Sequence, residues 1–468
     1  MLKPIIIFLV MLISLSPAGA AVAKEAAPLP LGVVIVKIGS GAYASGAAIQ
    51  KDGKILISAS AFRENQGQAI LARRNADGSP DQTFGKAGIA AAGLPGHYVR
   101  ADGMVLQEDG KAVLAGVAIP LTRDKWSGSS NDDFLVIRYN PDGQMDRGFN
   151  GSGLVQTDID GDIDVVYGLA LQKDRKIVVI GNTSKWRGYH FATLRYNEDG
   201  QLDRGFGKRG KVVTRVGSAR EDHSCAIAVQ PDGKIIVAGG GDDYPQYGRV
   251  MALVRYKPDG GLDPRFGLKG KILRHFGNRK DRNDSIANAL AVQPDGKIVV
   301  GVDVFTRDER GVYWREGRLV RLNSDGGLDG RFGSVIVNSR GYQMEAISDV
   351  ALQNDGKILF VGSAYDSEKC SYAIVVGRNN ADGTPDTSFG NNGITRVLMG
   401  KLPAAGRKLA IQQDGKIVVA GDVGKYESAN YSHRSQRTPS DLVIFRLNSA
   451  GRIDRNFGPS QGKSVVID

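Results

Sequence analysis

The chain has 468 residues, with 61 lysines and arginines against 50 acids, a formal net charge of +11, and 62 glycines beside only 17 prolines. That glycine content without raised proline speaks for many tight turns and excludes collagen-like and disordered classes. Two cysteines, Cys225 and Cys370, exclude a disulfide scaffold; the positive balance suits acidic glycans or an anionic envelope surface, and equally plain solubility.

From the N-terminus, Met1 to Ala23 carries one cation at Lys3, an apolar run from Ile5 to Leu15, and small residues at Ala18-Gly19-Ala20 and Ala21-Val22-Ala23. This is the pattern of a secretory signal peptide cleaved after Ala20 or Ala23. The apolar run is shorter than the roughly 20 residues of a membrane span, and no later segment approaches that length. The mature chain is expected in the periplasm or outside the cell, with residues 24–31 as a linker and residues 32–468 as the folded body.

A motif Gln-x-Asp-Gly-Lys then recurs seven times, with aspartates at Asp52, Asp109, Asp174, Asp232, Asp295, Asp355 and Asp414. Each copy is followed by Arg-x-Asn-x-Asp-Gly-x-x-Asp-x-x-Phe-Gly, which starts at Arg73, Arg138, Arg195, Arg255, Arg321, Arg378 and Arg446 and reaches Phe84, Phe149, Phe206, Phe266, Phe332, Phe389 and Phe457. Departures are few: Arg175 replaces a turn glycine, Lys257 an asparagine, Ala450 an aspartate, and Asn150 the glycine after Phe149. These paired motifs resemble the delta-60 repeat family of exported bacterial proteins over nearly the whole mature chain. The resemblance implies a β-rich repeat fold and brings no assigned activity with it.

Within one unit, Ala226-Ile227-Ala228-Val229 and Ile235-Ile236-Val237 flank Pro231-Asp232-Gly233, which suits a type I turn closed by a left-handed glycine. Arg175 must then enter the left-handed region, which makes the third hairpin the weakest. Both faces of the first strand are apolar, as expected for a strand sandwiched between neighbouring sheets. A third strand leads into the arginine motif and a fourth follows Phe-Gly. Four short strands repeated seven times predict an all-β chain, a single seven-bladed β-propeller of four-stranded antiparallel blades. Val33 to Lys37 and Ser464 to Ile467 are left over, and one of them is expected to close the ring by pairing across the termini. The two cysteines fall in different units and are predicted to be free, buried thiols.

The second motif invites a calcium reading, but arginine stands at the first ligand position of every copy. Arg255, Asp259 and Asp263 are therefore expected to form an ion-paired turn, with Phe266 as a hydrophobic plug between blades. The run from Asp158 to Asp164, acidic at alternate positions, is expected to be a solvated loop, with a cation as the alternative. His97, His190, His223, His275 and His433 show no metal-ligand spacing, and no nucleophile motif or cofactor motif is present. No catalytic residue, metal ligand or cofactor is assigned.

In an up-and-down blade the connections alternate between two faces, so the constant turns share one face and the variable connections the other. Variable loops on a rigid scaffold are where recognition resides. The connections between second and third strands hold Arg123, Lys125, Trp126, Lys185, Trp186, Tyr189, Tyr244, Tyr313, Trp314, Arg315, Tyr431 and His433. Aromatic rings beside cations suit a binding surface; the competing reading is that each ring covers the end of its own blade. The expected function is an exported, non-enzymatic module presenting this face to an extracellular glycan, protein or anionic polymer, as a monomer without a specific nucleic-acid partner. The alternative is a polysaccharide hydrolase or lyase with its site in the central pocket.

Overall fold

Apolar residues on either side of each Gln-x-Asp-Gly-Lys turn pair as a hairpin. In the fourth unit Ile227 faces Val237 and Val229 faces Ile235. Between them Gly233 takes φ 80°, and its N–H donates to the Gln230 carbonyl at 2.9 Å. Arg175 occupies the same left-handed position at φ 63°. The structure, a computed structural model, describes residues 30–63, 66–121, 131–161, 163–184, 188–218, 221–243, 248–276, 284–307, 313–337, 343–366, 371–399, 402–424, 440–458 and 465–467.

The first strand, β1 (Val33–Ile38), stands apart from the first unit. Blade one is β2 (Gly41–Ile49), β3 (Ile55–Arg63), β4 (Gln66–Arg74) and β5 (Ile89–Ala92). Blade two is β6 (His97–Leu106), β7 (Ala112–Pro120), β8 (Asp133–Tyr139) and β9 (Leu154–Thr157). Blade three is β10 (Asp164–Leu171), β11 (Ile177–Thr183), β12 (His190–Tyr196) and β13 (Lys211–Thr214). Blade four is β14 (His223–Val229), β15 (Ile235–Asp243), β16 (Gly248–Tyr256) and β17 (Lys271–Arg274). Blade five is β18 (Ser285–Val292), β19 (Ile298–Arg307), β20 (Tyr313–Leu322) and β21 (Ser334–Ile336). Blade six is β22 (Gln343–Leu352), β23 (Ile358–Asp366), β24 (Ser371–Asn379) and β25 (Ile394–Leu398). Blade seven contains β26 (Ala404–Ile411), β27 (Ile417–Gly424) and β28 (Ser440–Leu447), then β1, then β29 (Val465–Ile467).

The protein is thus a seven-bladed β-propeller of antiparallel four-stranded sheets, without a helix among the described residues. Both termini close it. Strand β1 completes the last blade antiparallel to β28, with Val33 opposite Phe445, and β29 adds a fifth, parallel strand along its outer edge, with Val36 opposite Val465. A fifth strand covers the backbone groups that an edge would leave open. Inside, the first strands β2, β6, β10, β14, β18, β22 and β26 each touch the next, and β26 touches β2.

A second belt runs round the constant face. Each motif arginine donates to a turn carbonyl of the following blade: Arg73 to Pro141, Arg138 to Glu198, Arg195 to Pro258, Arg255 to Ser324, Arg321 to Ala381 and Arg378 to Ser449. Arg446 then reaches forward to Ala76 of blade one. Each motif phenylalanine lies under its own arginine and is almost wholly buried. The turn glycine of the next blade packs on the ring: a Cβ on Gly78 would come within 2.8 Å of Phe457. The repeat is conserved along the chain because every copy holds its neighbour.

Candidate functional site

The constant face is committed to structure. Motif arginine Nε to aspartate Oδ2 distances run from 2.7 to 3.0 Å in six blades, and in blade three Arg195 Nη2 meets Asp203 at 2.8 Å. The lysine of the first motif joins the same carboxylate, as Lys54 does with Asp81 at 3.1 Å and Lys357 with Asp386 at 3.0 Å. Burial alone would raise the Asp81 carboxyl, but hydrogen bonds from Thr83 and Lys54 hold it well below the usual carboxylate range. Asp259 departs from the expected grouping. Its short side chain caps its own turn by accepting from Gly261 N–H at 2.8 Å, and it pairs with Lys257 at 2.9 Å instead of Arg255. Where Ala450 replaces this aspartate, Asn448 accepts from Ala450 and Arg452 N–H in its place.

The variable connections lie at the opposite end, and there the described structure covers part of the expected set. Arg123, Lys125, Trp126, Lys185, Trp186, Tyr244, Tyr431 and His433 lie outside the described residues. Tyr313 and Trp314 fall within β20, opposite Arg307 and Thr306, and so belong to a long hairpin arm instead of a loop. Tyr189 stacks on His223 across blades three and four at 5.8 Å. The Arg315 guanidinium lies 4.8 Å from the centre of the Phe305 ring. These two pairs sit on different blades.

Further aromatic groups stand at the same end, on strand termini that loop composition does not reveal. Phe62, near the end of β3, meets Tyr43 edge-on at 5.2 Å and stacks on Tyr98 of blade two at 5.8 Å with 17° between planes. Tyr365 and Tyr372 face each other across β23 and β24 at 4.7 Å. Phe62, Tyr98, Tyr189, His223, Phe305, Tyr365 and Tyr372 are half-buried, so each keeps part of a ring in solvent. A second-strand end and a third-strand start both point to the variable face, and that alternation was the available signal.

Toward the axis, every first strand carries a bulge. The bulged residues Ser45, Asp102, Tyr167, Cys225, Asn288, Ser348 and Arg407 are all half-buried, and the residue before each is buried. Bulges re-aim side chains, here to one level of the innermost ring. Asp102 is held by Arg100 at 2.8 Å, Asn288 donates to Asp303 at 2.6 Å, and Arg407 donates to Asp422 at 2.7 Å. Burial pushes the Asp303 carboxyl up to about 7 and the Cys225 thiol up to about 12. Cys225 is a free thiol, half-buried instead of fully buried as expected, because the innermost strand borders the channel; Cys370 lies outside the described residues.

The acidic run near the third blade is only partly a solvated loop. Asp158 and Asp160 are exposed, but Asp164 opens β10 and is fully buried, and Asp162 lies outside the described residues. Burial first, then the neighbouring Asp158 and Asp133, push the Asp164 carboxyl up to about 8 against the opposing pull of Thr183 and the Ile159 N–H. Asp133 is raised as well, chiefly by burial.

Seven stretches, residues 50–84, 107–149, 172–206, 230–266, 293–332, 353–389 and 412–457, match the profile of the "domain of unknown function (DUF5122) beta-propeller" family. The chain belongs to the DUF5122 β-propeller family. No curated protein sequence matches this family member. Among solved structures, polysaccharide lyase Uly1 aligns with a TM-score of 0.49 and 9% identity over 86% of this chain and 90% of its own. The PL25 ulvan lyase bound to -[GlcA(1-4)Rha3S]- aligns at 0.48 and 10%, over 91% and 94%. The Penicillium chrysogenum α-L-arabinanase with arabinobiose aligns at 0.45 and 11%, over 75% and 94%. At these identities the likeness is one of fold alone.

Proposed function

We propose that this DUF5122 propeller is an exported, non-enzymatic binding module that holds an extracellular glycan on its variable-loop face, and that the delta-60 likeness extends to its setting outside the cytoplasm. The observation that carries this reading is the gathering of partly exposed aromatic rings at one end of the disc, from blades one to six. A sugar ring has an apolar C–H face that packs flat on such rings while its hydroxyls stay wet. At the opposite end the motif arginines and phenylalanines are spent on blade-to-blade contacts. Binding is preferred to hydrolysis by a carboxylate pair because Asp102, the one carboxylate among the seven bulged residues named above, is held by Arg100.

The test is a glycan array read with the mature protein and with Phe62→Ala, Tyr98→Ala and Tyr365→Ala. Each variant is expected to lose about tenfold in affinity for the captured glycan, equivalent to about 1.4 kcal/mol, while Lys208→Ala on the constant face binds as before. Undiminished binding by all three ring variants would dismiss this face.

A further inference from the structure

The blades are built on one register, so each junction between neighbours can be compared with the next. Phe134 pairs with Thr157 in blade two as Phe191 pairs with Thr214 in blade three, so Asp133 is equivalent to His190 and Asp158 to Arg215. The first-strand bulges at Val166/Gly168 and Ser224/Ala226 make Asp164 equivalent to Asp222. The junction of blades three and four therefore sets one carboxylate among a histidine and an arginine position, where the junction of blades two and three sets three carboxylates.

The hydrogen bonding differs accordingly. Asp222 uses both oxygens, accepting from Val216 N–H at 2.7 Å and Gly217 N–H at 2.9 Å, with His190 Nδ1 at 3.5 Å. Asp164, 0% exposed, accepts from Ile159 N–H at 2.7 Å with Oδ2, and among the described residues its Oδ1 makes no hydrogen bond of good geometry, although the Thr183 hydroxyl acts on the same carboxyl. Asp133, 6% exposed, accepts from Gln156 Nε2 at 2.5 Å with Oδ2, and its Oδ1 likewise has no partner among the described residues. Thr183, opposite Asp164 in the sheet, adds a buried hydroxyl. Asp158 accepts from Gly161 N–H at 2.8 Å and keeps an exposed carboxylate. One oxygen from each of Asp133, Asp158 and Asp164 lies within 4.8 Å of the others. The nearby Lys211 is bound to the Asp158 carbonyl at 2.6 Å, a contact that Lys271 repeats on Arg215 at 2.6 Å, so it belongs to the scaffold and not to the carboxylates.

We propose that Asp133, Asp158 and Asp164 bind one calcium ion at the junction of blades two and three, on the variable-loop face. Buried carboxylates gathered together are unfavourable unless a proton or a metal cation is shared among them. An all-oxygen donor set selects a hard cation. Calcium bonds of about 2.3–2.6 Å place opposite ligands about 4.6–5.2 Å apart, whereas the shell of magnesium spans only about 4.0–4.2 Å. Oxygens that all lie within 4.8 Å of one another fit inside the calcium shell, which also tolerates more irregular ligand geometry than that of magnesium. Bound there, the ion ties the start of β8 to the link between β9 and β10, fixing one end of a variable connection; it does not depend on glycan capture.

The experiment is calorimetric titration of CaCl2 into EDTA-treated mature protein at neutral pH, with thermal melts in CaCl2, MgCl2 and EDTA. One calcium per chain is expected, with a Kd of about 10⁻⁴–10⁻³ M as in other extracellular modules, and a Tm rise of about 2 °C at saturation. Asp158→Asn, at an exposed position that leaves folding intact, and Asp133→Asn should both abolish heat and shift, while Asp222→Asn at the equivalent junction keeps them. Absence of any calcium response in the wild type, an equal shift in MgCl2, or a response that survives in both Asp158→Asn and Asp133→Asn would overturn the assignment.

Discussion

Replacing Arg446 with methionine tests how the ring is closed. Arg446 is 7% exposed, its Nη2 lies 2.8 Å from Asp454, its Nη1 donates to Ala76 of blade one, and its guanidinium lies 4.9 Å from the Phe457 ring centre. Removing one member of a buried ion pair costs about 3–5 kcal/mol. The Asp454 side chain is 14% exposed and keeps Lys416 at 3.9 Å, and methionine still fills the space over Phe457. Those terms lower the expected loss to about 2–4 kcal/mol, or roughly 2–4 °C in Tm for a domain of this size. Calorimetry of Arg446→Met, Asp454→Asn and the double variant should give a coupling of at least about 1 kcal/mol. Arg255→Met, whose guanidinium reaches Ser324 across an internal junction, should fall by a similar amount, because a closed ring has no weak end. A loss below about 1 kcal/mol at Arg446, or additive single variants, would refute the view that the arginine belt closes the propeller.

Three more substitutions test the local geometry. Gly233→Ala should destabilise by about 1–2 kcal/mol because φ 80° is strained for any side chain, although its Cβ would meet nothing nearer than Pro258 at 3.5 Å; Arg175→Gly at the equivalent turn should leave Tm unchanged or raise it, and thermal melts showing the opposite signs would contradict the left-handed turn. Asp303, raised by burial to about 7 against the opposing Ile347 N–H, Arg315 and Asn288, binds its proton more tightly in the folded chain than in the unfolded one. Its contribution is therefore complete below about pH 4 and is lost as pH rises through 7. The Tm of Asp303→Asn relative to wild type should climb between pH 4 and 7 and level off above, and a difference independent of pH would rule out a buried acid at this position.

The architecture was legible because each blade repeats its own instructions. Matched copies of Gln-x-Asp-Gly-Lys and of the arginine motif mark two turns per unit, and the structure shows why the motifs travel together: Lys54 of one and Arg73 of the other grip the same Asp81. Closure was half legible. Both terminal strands were visible as surplus and one was expected to complete a blade, but the parallel seat of Val465–Ile467 outside β1 follows from the position of an edge in space, which no local pattern encodes. The candidate face was legible as a location and not as a set of side chains. Phe62, Tyr98, Tyr365 and Tyr372 read as ordinary strand residues, since an aromatic at a strand end differs from one in a strand middle only once register and blade are known.

The same reasoning explains why the acidic run near Asp164 was misleading. Along the chain it is alternating aspartate, a solvated pattern; across the blades Asp164 enters a buried first-strand position that is Ala42, Val99, Asp222, Ser285 or Ala404 in units where the bulge can be matched. A polar residue there must find partners inside the junction, and Asp222 does so with two backbone N–H groups. Asp164 finds one N–H and two other carboxylates. A repeat protein contains its own controls: the two positions held by Asp133 and Asp158 are Gln68 and Gly93 in blade one, His190 and Arg215 in blade three, Val250 and His275 in blade four, Ala373 and Leu398 in blade six and Asp441 and Lys37 in blade seven, so among these blades the second alone sets two aspartates there, beside the buried Asp164.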